Sequence, residues 1–263
     1  MVNKILCLYS YYEKNAEYKR NFEFFLEKGI NVGIDYKIIV NGTCSVLLPE
    51  KANIEVIYRD NVGFDFGSYA YYINRTADTL QTYTHFIFIN NSVRGPYGAM
   101  PWHTQFIDMI NDTVKLVGIS INILTYFDKR IAGFELPYPH VQSMMFAMDL
   151  EALTFLKDSI FGLDVMEMTN KEEVVLKKEI LMSLLILRKG WKINCTLSKY
   201  KDLDYANLKQ DINPTSFFGD PSYKHRYFGN TYTPADGAVF IKSDPMRQLL
   251  PVERVKPVGR AIL

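Results

Sequence analysis

The chain has 263 residues, of which 48% are hydrophobic and 22% are charged, so it can bury one large core and has the composition of an ordinary globular protein. Its formal net charge of +1 gives no basis for a polyanion-binding surface, so nucleic acid is not expected as a partner. Cys7, Cys44 and Cys195 lack the spacing of a metal site, which predicts free thiols in a reducing compartment.

The first sixty residues predict a strand, a helix and two further strands. Residues 4–9 have the apolar run of a buried strand, and residues 13–28 carry apolar side chains at helical spacing that ends at Gly29. Residues 34–40 and 53–58 are the next two strands. This order favours a largely parallel sheet.

The strongest strand signal is the run at residues 84–90, which is typical of a central parallel strand buried on both faces. It is preceded by a glycine-containing loop and a helical pattern that begins after Gly67. It ends in Asn90, Asn91 and Ser92. Because ligands of open α/β sheets bind just outside the carboxyl ends of the strands, this loop is a site candidate.

The second half of the chain predicts alternating strands and helices. Strands are expected at 114–120, 143–148 and 191–197. Asp149 is expected to cap a short helix, and residues 171–189 predict a long amphipathic helix that ends at a glycine. The sequence after these elements is rich in Pro, Tyr, Asn and Gly, which predicts a loop-rich C-terminal tail.

The N-terminal sequence predicts neither export nor membrane insertion. The apolar stretch at residues 5–9 is too short for the core of a signal peptide or for a membrane span. We therefore expect a cytoplasmic protein without a membrane span.

Short blocks along the chain share their order and residue types with one family. The loop at 61–67 reads NVGFDFG, residues 88–92 read FINNS and are followed by Gly95 and Pro96, and residues 140–143 read HVQS. These blocks resemble the N-x-G-R-D-x-G, strand–N-D-S–G-P and H-x-Q-S patterns of GT-A type glycosyltransferases related to the rhamnan-synthesis F proteins. Phe64 stands where that family has Arg.

A further block lies in the long helix. Glu179 precedes Gly190 by eleven residues, and Trp191 and Lys192 follow. The spacing is similar to that between an acidic helix start and a Gly-aromatic-basic turn in many GT-A enzymes. The resemblance covers roughly residues 4–195.

The resemblance implies a single GT-A (Rossmann-like) α/β domain over residues 1–263, with a mainly parallel central sheet flanked by helices. It divides the chain into a nucleotide-sugar-binding half at 1–120, an acceptor and catalytic half at 121–198 and a loop-rich extension at 199–263. The implied activity is transfer of a hexose or pentose from a nucleotide-diphosphate sugar to a hydroxyl of a glycan or glycoconjugate, in polysaccharide biosynthesis. The cytosol would be that of a bacterium or of a virus-infected host.

The departing diphosphate carries negative charge that a divalent cation or basic residues must stabilise. GT-A enzymes use an Asp-x-Asp after the central strand to hold Mn²⁺ or Mg²⁺. Here Asn91 and Ser92 occupy those positions, and His225 is a third candidate metal ligand. Asn90–Ser92 could equally be a turn that ends the strand. The candidate donor-binding residues are Ser10, Asn61, Asp65, Asn90, Arg94 and Arg226.

Two of the acidic candidates have structural alternatives. Glu179 would be the general base of an inverting transferase, removing the proton of the acceptor hydroxyl. Alternatively it belongs to a solvated charged face, and Glu172 and Glu173 are then the fallback bases. Asp65 would contact the donor or cap the following helix.

Trp102 would stack on an acceptor sugar or pack in the core.

Two other functions compete with transfer. A degenerate domain could bind a nucleotide sugar or glycan without turnover, because both acidic positions after the central strand are missing. A different Rossmann-like nucleotide enzyme is disfavoured, since neither a G-x-G-x-x-G nor a P-loop follows the first strand.

Overall fold

The apolar runs of the first half form neighbouring parallel strands, as the sequence predicted. The structure is a computed structural model that describes residues 3–98 and 100–243. The first strand is buried along its whole length and pairs with the second and fourth strands on its two sides. The four strands are β1 (Ile5–Tyr11), β2 (Ile34–Asn41), β3 (Ile54–Arg59) and β4 (His85–Asn90).

The second half contributes shorter strands, several of which have too few residues or too mixed a composition to be predicted from periodicity. β5 and β11 form a two-stranded sheet, and β7 and β8 form another. The strands are β5 (Val93–Arg94), β6 (Val114–Gly118), β7 (Ile121–Leu124), β8 (Tyr138–Val141), β9 (Met145–Asp149), β10 (Lys192–Cys195) and β11 (Ile241–Lys242).

The main sheet has seven strands in the order β10-β6-β9-β4-β1-β2-β3. β9 runs antiparallel to both of its neighbours, and the other pairs are parallel. The chain moves outward from β1 to β3 and then returns to place β4 on the other side of β1. This reversal creates a topological switch point between β1 and β4, where α/β folds bind ligands. The expected α/β class with a mainly parallel central sheet is confirmed.

Helices connect these strands. α1 begins after Asn15, whose side chain accepts a hydrogen bond from the N–H of Tyr18 at 2.9 Å. Asp149 caps α5 by accepting from the N–H of Ala152 at 2.8 Å, as predicted. The α-helices are α1 (Ala16–Lys28), α2 (Phe64–Arg75), α3 (Ala77–Leu80), α4 (Thr104–Ile107), α5 (Leu150–Ile160), α6 (Lys171–Val174) and α7 (Leu181–Arg188), and 3-10 turns lie at Leu163–Glu167 and Pro234–Asp236.

The predicted long helix is present, with an irregularity that the sequence did not indicate. α6 and α7 are joined by a π-helical turn at Val175–Ile180, a feature that is frequent at functional sites. Within this turn the Lys178 side chain is buried and contacts Asp164, whereas Glu179 lines a cleft. The helix ends as expected at Gly190, which has a φ of +87°.

The core contains most of the aromatic side chains. Phe88 of β4 stacks on Phe146 at a ring-centroid distance of 4.6 Å and on Phe161 at 5.4 Å. These contacts fit the predicted central position of β4. None of the described helices combines the length and the apolar character needed to cross a membrane.

The tail from residue 199 contains few regular elements in its described part, as predicted, and its residues from 244 lie outside the described residues. It is fixed by side chains rather than by a continuous helix or sheet. Asn213 donates to the Tyr200 hydroxyl at 3.0 Å and to the backbone oxygen of Arg226 at 2.7 Å.

Candidate active site

The carboxyl ends of β1 and β4 lie side by side at the switch point. Ser10 and Asn90 are register partners in this parallel pair. A cleft of about 510 Å³ opens at these strand ends, a size typical of small-molecule sites. Its walls bring together most of the residues singled out in the sequence, namely Ser10, Asn61, Asp65, Asn90, Asn91, Ser92 and Glu179.

Three of the expected site residues do not line this cleft. The Arg94 guanidinium lies over the Phe24 ring, 5.1 Å from its centroid. Arg226 lies 5.8 Å from the centroid of the Phe217 ring. His225 is an exposed turn residue with a φ of +60°. Neither the donor contacts expected of Arg94 and Arg226 nor the metal contact expected of His225 is supported by these positions.

The cleft wall beside β1 rests on a buried polar network. The Ser10 hydroxyl lies 2.9 Å from that of Ser68, and Asn41 Nδ2 donates to Ser10 at 3.1 Å. Arg59 donates to Asn41 Oδ1 at 2.8 Å and to the Val62 carbonyl at 2.6 Å. Because these residues end β1, β2 and β3, the network ties three strand ends to the loop that precedes α2.

Asp65 is directed toward Asn90 rather than acting as a helix cap. Gly63, with a φ of +72°, is the N-cap residue of α2, so Asp65 is not, although its Oδ1 atom accepts from the N–H of Phe66 in the first turn at 3.1 Å. Asp65 Oδ2 accepts from Asn90 Nδ2 at 2.8 Å. Burial raises the pKa of the Asp65 carboxyl, and the bond from Asn90 partly opposes this, while the nearby charge of Glu179 adds to the increase.

Glu179 is a partly buried residue of the cleft and not part of a solvated face. Its Oε2 atom accepts from the Ser143 N–H at 3.0 Å and from the Ser143 hydroxyl. Its Oε1 atom lies 3.7 Å from Nε2 of His140. The fallback bases differ, because Glu172 pairs with Lys129 and Glu173 with Lys177 on the exposed side of the helix.

The proton of His140 can be placed from its surroundings. Nδ1 lies 2.8 Å from the backbone carbonyl oxygen of Tyr138, which can only accept, so Nδ1 carries a hydrogen. In the neutral imidazole Nε2 is therefore a bare acceptor that faces the Glu179 carboxylate. A hydroxyl between the two groups can donate to one of them and make the contact favourable.

The side chains after β4 do not fit a divalent cation. Asn90 Oδ1 accepts from the N–H and the hydroxyl of Ser92 at 3.0 and 2.6 Å. Asn91 Oδ1 accepts from the Tyr12 N–H at 3.3 Å. Within residues 3–98 and 100–243, no three His, Cys, Asp or Glu side chains are grouped so that they could hold a metal ion. Hard cations prefer anionic oxygens, which these three residues lack.

Several cleft residues were missed or left ambiguous by the sequence. His140, Gln142 and Ser143 all line the cleft, and the H-x-Q-S block was the signal for them. The basic residues of the walls had no motif to indicate them; they are Lys14, Lys171 and Lys242. Trp102 is fully buried and donates to the Gly29 carbonyl at 2.8 Å, so it packs in the core and does not stack on a sugar.

The family assignment rests on comparison with known proteins. Among solved structures, one match is the mannosyltransferase PcManGT from Pyrobaculum calidifontis in complex with GDP-Man and Mn²⁺, with 10% sequence identity and a TM-score of 0.44. The match covers 72% of this chain and 53% of that one, so it spans about half of the neighbour's length. A search of curated proteins finds no match. Residues 44–220, more than half of the chain, match the family described as rhamnan synthesis protein F, and the chain therefore belongs to that family.

Proposed function

We propose that this chain is a glycosyltransferase that moves a hexose or pentose from a nucleoside-diphosphate sugar to a hydroxyl of a glycan or glycoconjugate. The observation that carries the proposal is the Glu179 carboxylate, which is held in the cleft through Oε2 by Ser143. Both residues lie in the segment that matches the rhamnan synthesis protein F family. The carboxylate and the strand ends of the switch point share one cleft.

The donor would occupy the half of the cleft formed by residues 1–120. Ser10, Asn61, Asp65 and Asn90 offer hydroxyl, amide and carboxylate groups there. A carboxylate near a strand end is suited to accept hydrogen bonds from ribose or sugar hydroxyls. Since Asn90 links Asp65 to the end of β4, the two side chains would orient the donor as a unit.

Glu179 would act as the general base from the acceptor half, residues 121–198. It takes the proton of the acceptor hydroxyl, whose oxygen forms a bond to the anomeric carbon. The bond from that carbon to the diphosphate breaks, and the diphosphate leaves with the electron pair. Attack from the face opposite the leaving group inverts the anomeric configuration. Ser143 fixes Oε2 and so leaves Oε1 directed at His140 and at the cleft.

A second candidate is a binding module without turnover. It is favoured by Asn91 and Ser92, because the two positions at which the resemblance implies carboxylates hold an amide that bonds to Tyr12 and a hydroxyl that bonds to Asn90. Such a domain would keep the donor cleft and lack transfer.

Donor binding and turnover can be tested on the same protein. The full chain is screened against UDP-, GDP- and dTDP-sugars by thermal shift, where a ligand at a hundred times its Kd adds about 2.7 kcal/mol of stability. The donor found is then used to measure transfer and donor hydrolysis. The Glu179→Gln variant should bind the donor like the parent and lose about 10²- to 10⁴-fold in rate. Glu173→Gln, on the exposed side of the same helix, is the matched control.

The outcomes separate the candidates. An unchanged rate in Glu179→Gln would remove this residue as the base. A parent protein that binds a donor without transfer or hydrolysis would favour the binding module. No binding of any of these nucleotide sugars would contradict the transferase and leave only a glycan-binding domain.

A further inference from the structure

The Asn91 side chain acts as a two-way clamp on the backbone of Tyr12. Nδ2 donates to the Tyr12 carbonyl at 2.9 Å, and Oδ1 accepts from the Tyr12 N–H at 3.3 Å. The residue is 3% exposed. This pairing needs one donor and one acceptor on the same side chain, which an amide has and a carboxylate lacks. An Asp at this position would place its charge against the Tyr12 carbonyl oxygen.

The turn after β1, which Asn91 holds at Tyr12, includes a lysine that lines the cleft. The Lys14 N–H donates to the Tyr12 carbonyl at 2.8 Å, so the turn after β1 is closed on the residue that Asn91 holds. The Lys14 side chain is exposed and lines the cleft. Its ammonium group lies 5.8 Å from the centroid of the Tyr18 ring, which also lines the cleft.

A second lysine reaches the cleft from the other end of the described chain. β11 pairs antiparallel with β5, and Lys242 is the register partner of Val93. The Ser243 N–H donates to the Ser92 carbonyl at 3.0 Å. The backbone of β11 is therefore fixed beside the Asn90–Ser92 segment, and Lys242 is partly buried in the cleft wall.

We propose that the chain binds the diphosphate of its donor through the ammonium groups of Lys14 and Lys242, and that Asn91 is a positioning residue for Lys14 and not a metal ligand. This rests on the proposed function. Lysine is a common phosphate-binding residue and supplies the positive charge that a departing diphosphate requires. The segment after β4, by contrast, offers amides and a hydroxyl whose bonds are already made.

Lys171 also lines the cleft, and its positive charge opposes the effect of burial on the pKa of Asp65.

The test measures the binding of UDP, GDP and dTDP to the full chain by calorimetry, once with Mn²⁺ and once with EDTA. For the nucleotide that binds, the two Kd values should agree within about twofold. Lys14→Ala and Lys242→Ala should each weaken binding about tenfold in EDTA, and the Kd of the corresponding nucleoside, which lacks phosphate, should not change. Lys177→Ala, an exposed lysine on the outer side of the helix, should bind like the parent.

Asn91→Asp distinguishes the two roles of that position. A clamp predicts weaker nucleotide binding with and without Mn²⁺, whereas a metal site predicts tighter binding that depends on Mn²⁺. The two lysine variants change side chains that reach solvent, so we expect them to fold. They test the proposal if Asn91→Asp does not fold. Binding that requires Mn²⁺ would overturn this inference and leave the proposed function standing. Failure of all three nucleotides to bind under either condition would overturn the proposed function as well.

Discussion

The Nε2 atom of His140 lies 3.7 Å from Oε1 of Glu179, while Ser143 holds the other carboxylate oxygen. Each oxygen of the proposed base therefore faces a different group, and the hydroxyl and N–H of Ser143 both stabilise the charged carboxylate. Substitutions of Ser143 and of His140 should therefore affect the proposed base in different ways.

Replacing Ser143 with Ala removes the hydroxyl donor and leaves the N–H in place. A hydrogen bond to a charged group contributes about 1.5–3 kcal/mol, so we expect kcat to fall by about 10- to 100-fold, with the donor Kd unchanged. Steady-state transfer kinetics, measured beside calorimetry of donor binding, check this. A donor Kd that rises together with the loss of rate would instead assign Ser143 to the donor site.

Replacing His140 with Asn removes the ring nitrogen that faces Glu179. We expect kcat to fall and nucleotide binding to persist, since His140 approaches the base and not the strand ends of the donor half. Calorimetry of nucleotide binding beside transfer kinetics separates the two effects. A variant that loses binding and rate together would place His140 in the donor site.

Replacing Asp65 with Asn should stabilise the protein at neutral pH or leave it unchanged, while weakening donor binding. Burial raises the pKa of Asp65 above its ordinary value of 3.8, so the folded state binds the proton more tightly than the unfolded state does. The free energy of unfolding of the parent, compared with that of Asp65→Asn, should therefore decrease as pH rises from about 4 through the raised pKa. Thermal unfolding of both proteins from pH 4 to 8 checks this. A relative stability that increases with pH would contradict it.

The Lys178–Asp164 pair should respond unequally to the removal of its two members. The Lys178 side chain is 2% exposed and that of Asp164 is 58% exposed, and their atoms Nζ and Oδ2 are 2.8 Å apart. Asp164→Ala leaves a buried ammonium without its carboxylate, which costs about 3–5 kcal/mol for a fully buried pair and somewhat less here. Lys178→Met leaves a carboxylate that water can solvate. Urea unfolding should therefore show the larger loss in Asp164→Ala, and the reverse order would refute the asymmetry.

Replacing Gly63 with Ala should destabilise the loop before α2. Gly63 has a φ of +72°, and a Cβ atom there would lie 2.3 Å from the Val165 carbonyl oxygen. The left-handed backbone alone costs about 1–2 kcal/mol for a non-glycine residue, and the clash adds to that. Gly33→Ala is the control, because the nearest atom to its Cβ is a side-chain oxygen at 3.4 Å. Equal denaturation midpoints for the two variants would be inconsistent with the structure.

The sequence predicted the main sheet well because its central strands are continuous apolar runs. β4 and the cap at Asp149 could be located from local residues alone. The short strands β7 and β8 could not, since each has only four residues and β8 includes a proline and a histidine. β5 and β11 depend on pairing between distant segments, which one sequence does not reveal.

Part of the candidate site could be predicted because it lies at the ends of strands that were themselves predictable. Ser10, Asp65 and Asn90 follow from the rule that ligands bind at strand ends. Glu179 was ambiguous in the sequence, because its charged neighbours suggested a solvated face. In the structure it lies in the π-helical turn and bonds to Ser143 in the cleft. Asn91 was predicted as a candidate metal ligand from its position, and in the structure its amide bonds to the backbone of Tyr12. Lys242 had no local signal.

The pairing of Val93 with Lys242 has a consequence for folding. Contacts between residues far apart in the chain form late, because the entropy of closing the long loop must be overcome first. The cleft is complete only when β11 has joined β5, after almost all of the described chain has left the ribosome. A nascent chain that ends near residue 220 would hold every residue of the family match and still lack the cleft residue Lys242. Binding of the proposed donor would therefore report on completion of the fold, not on folding of the central sheet.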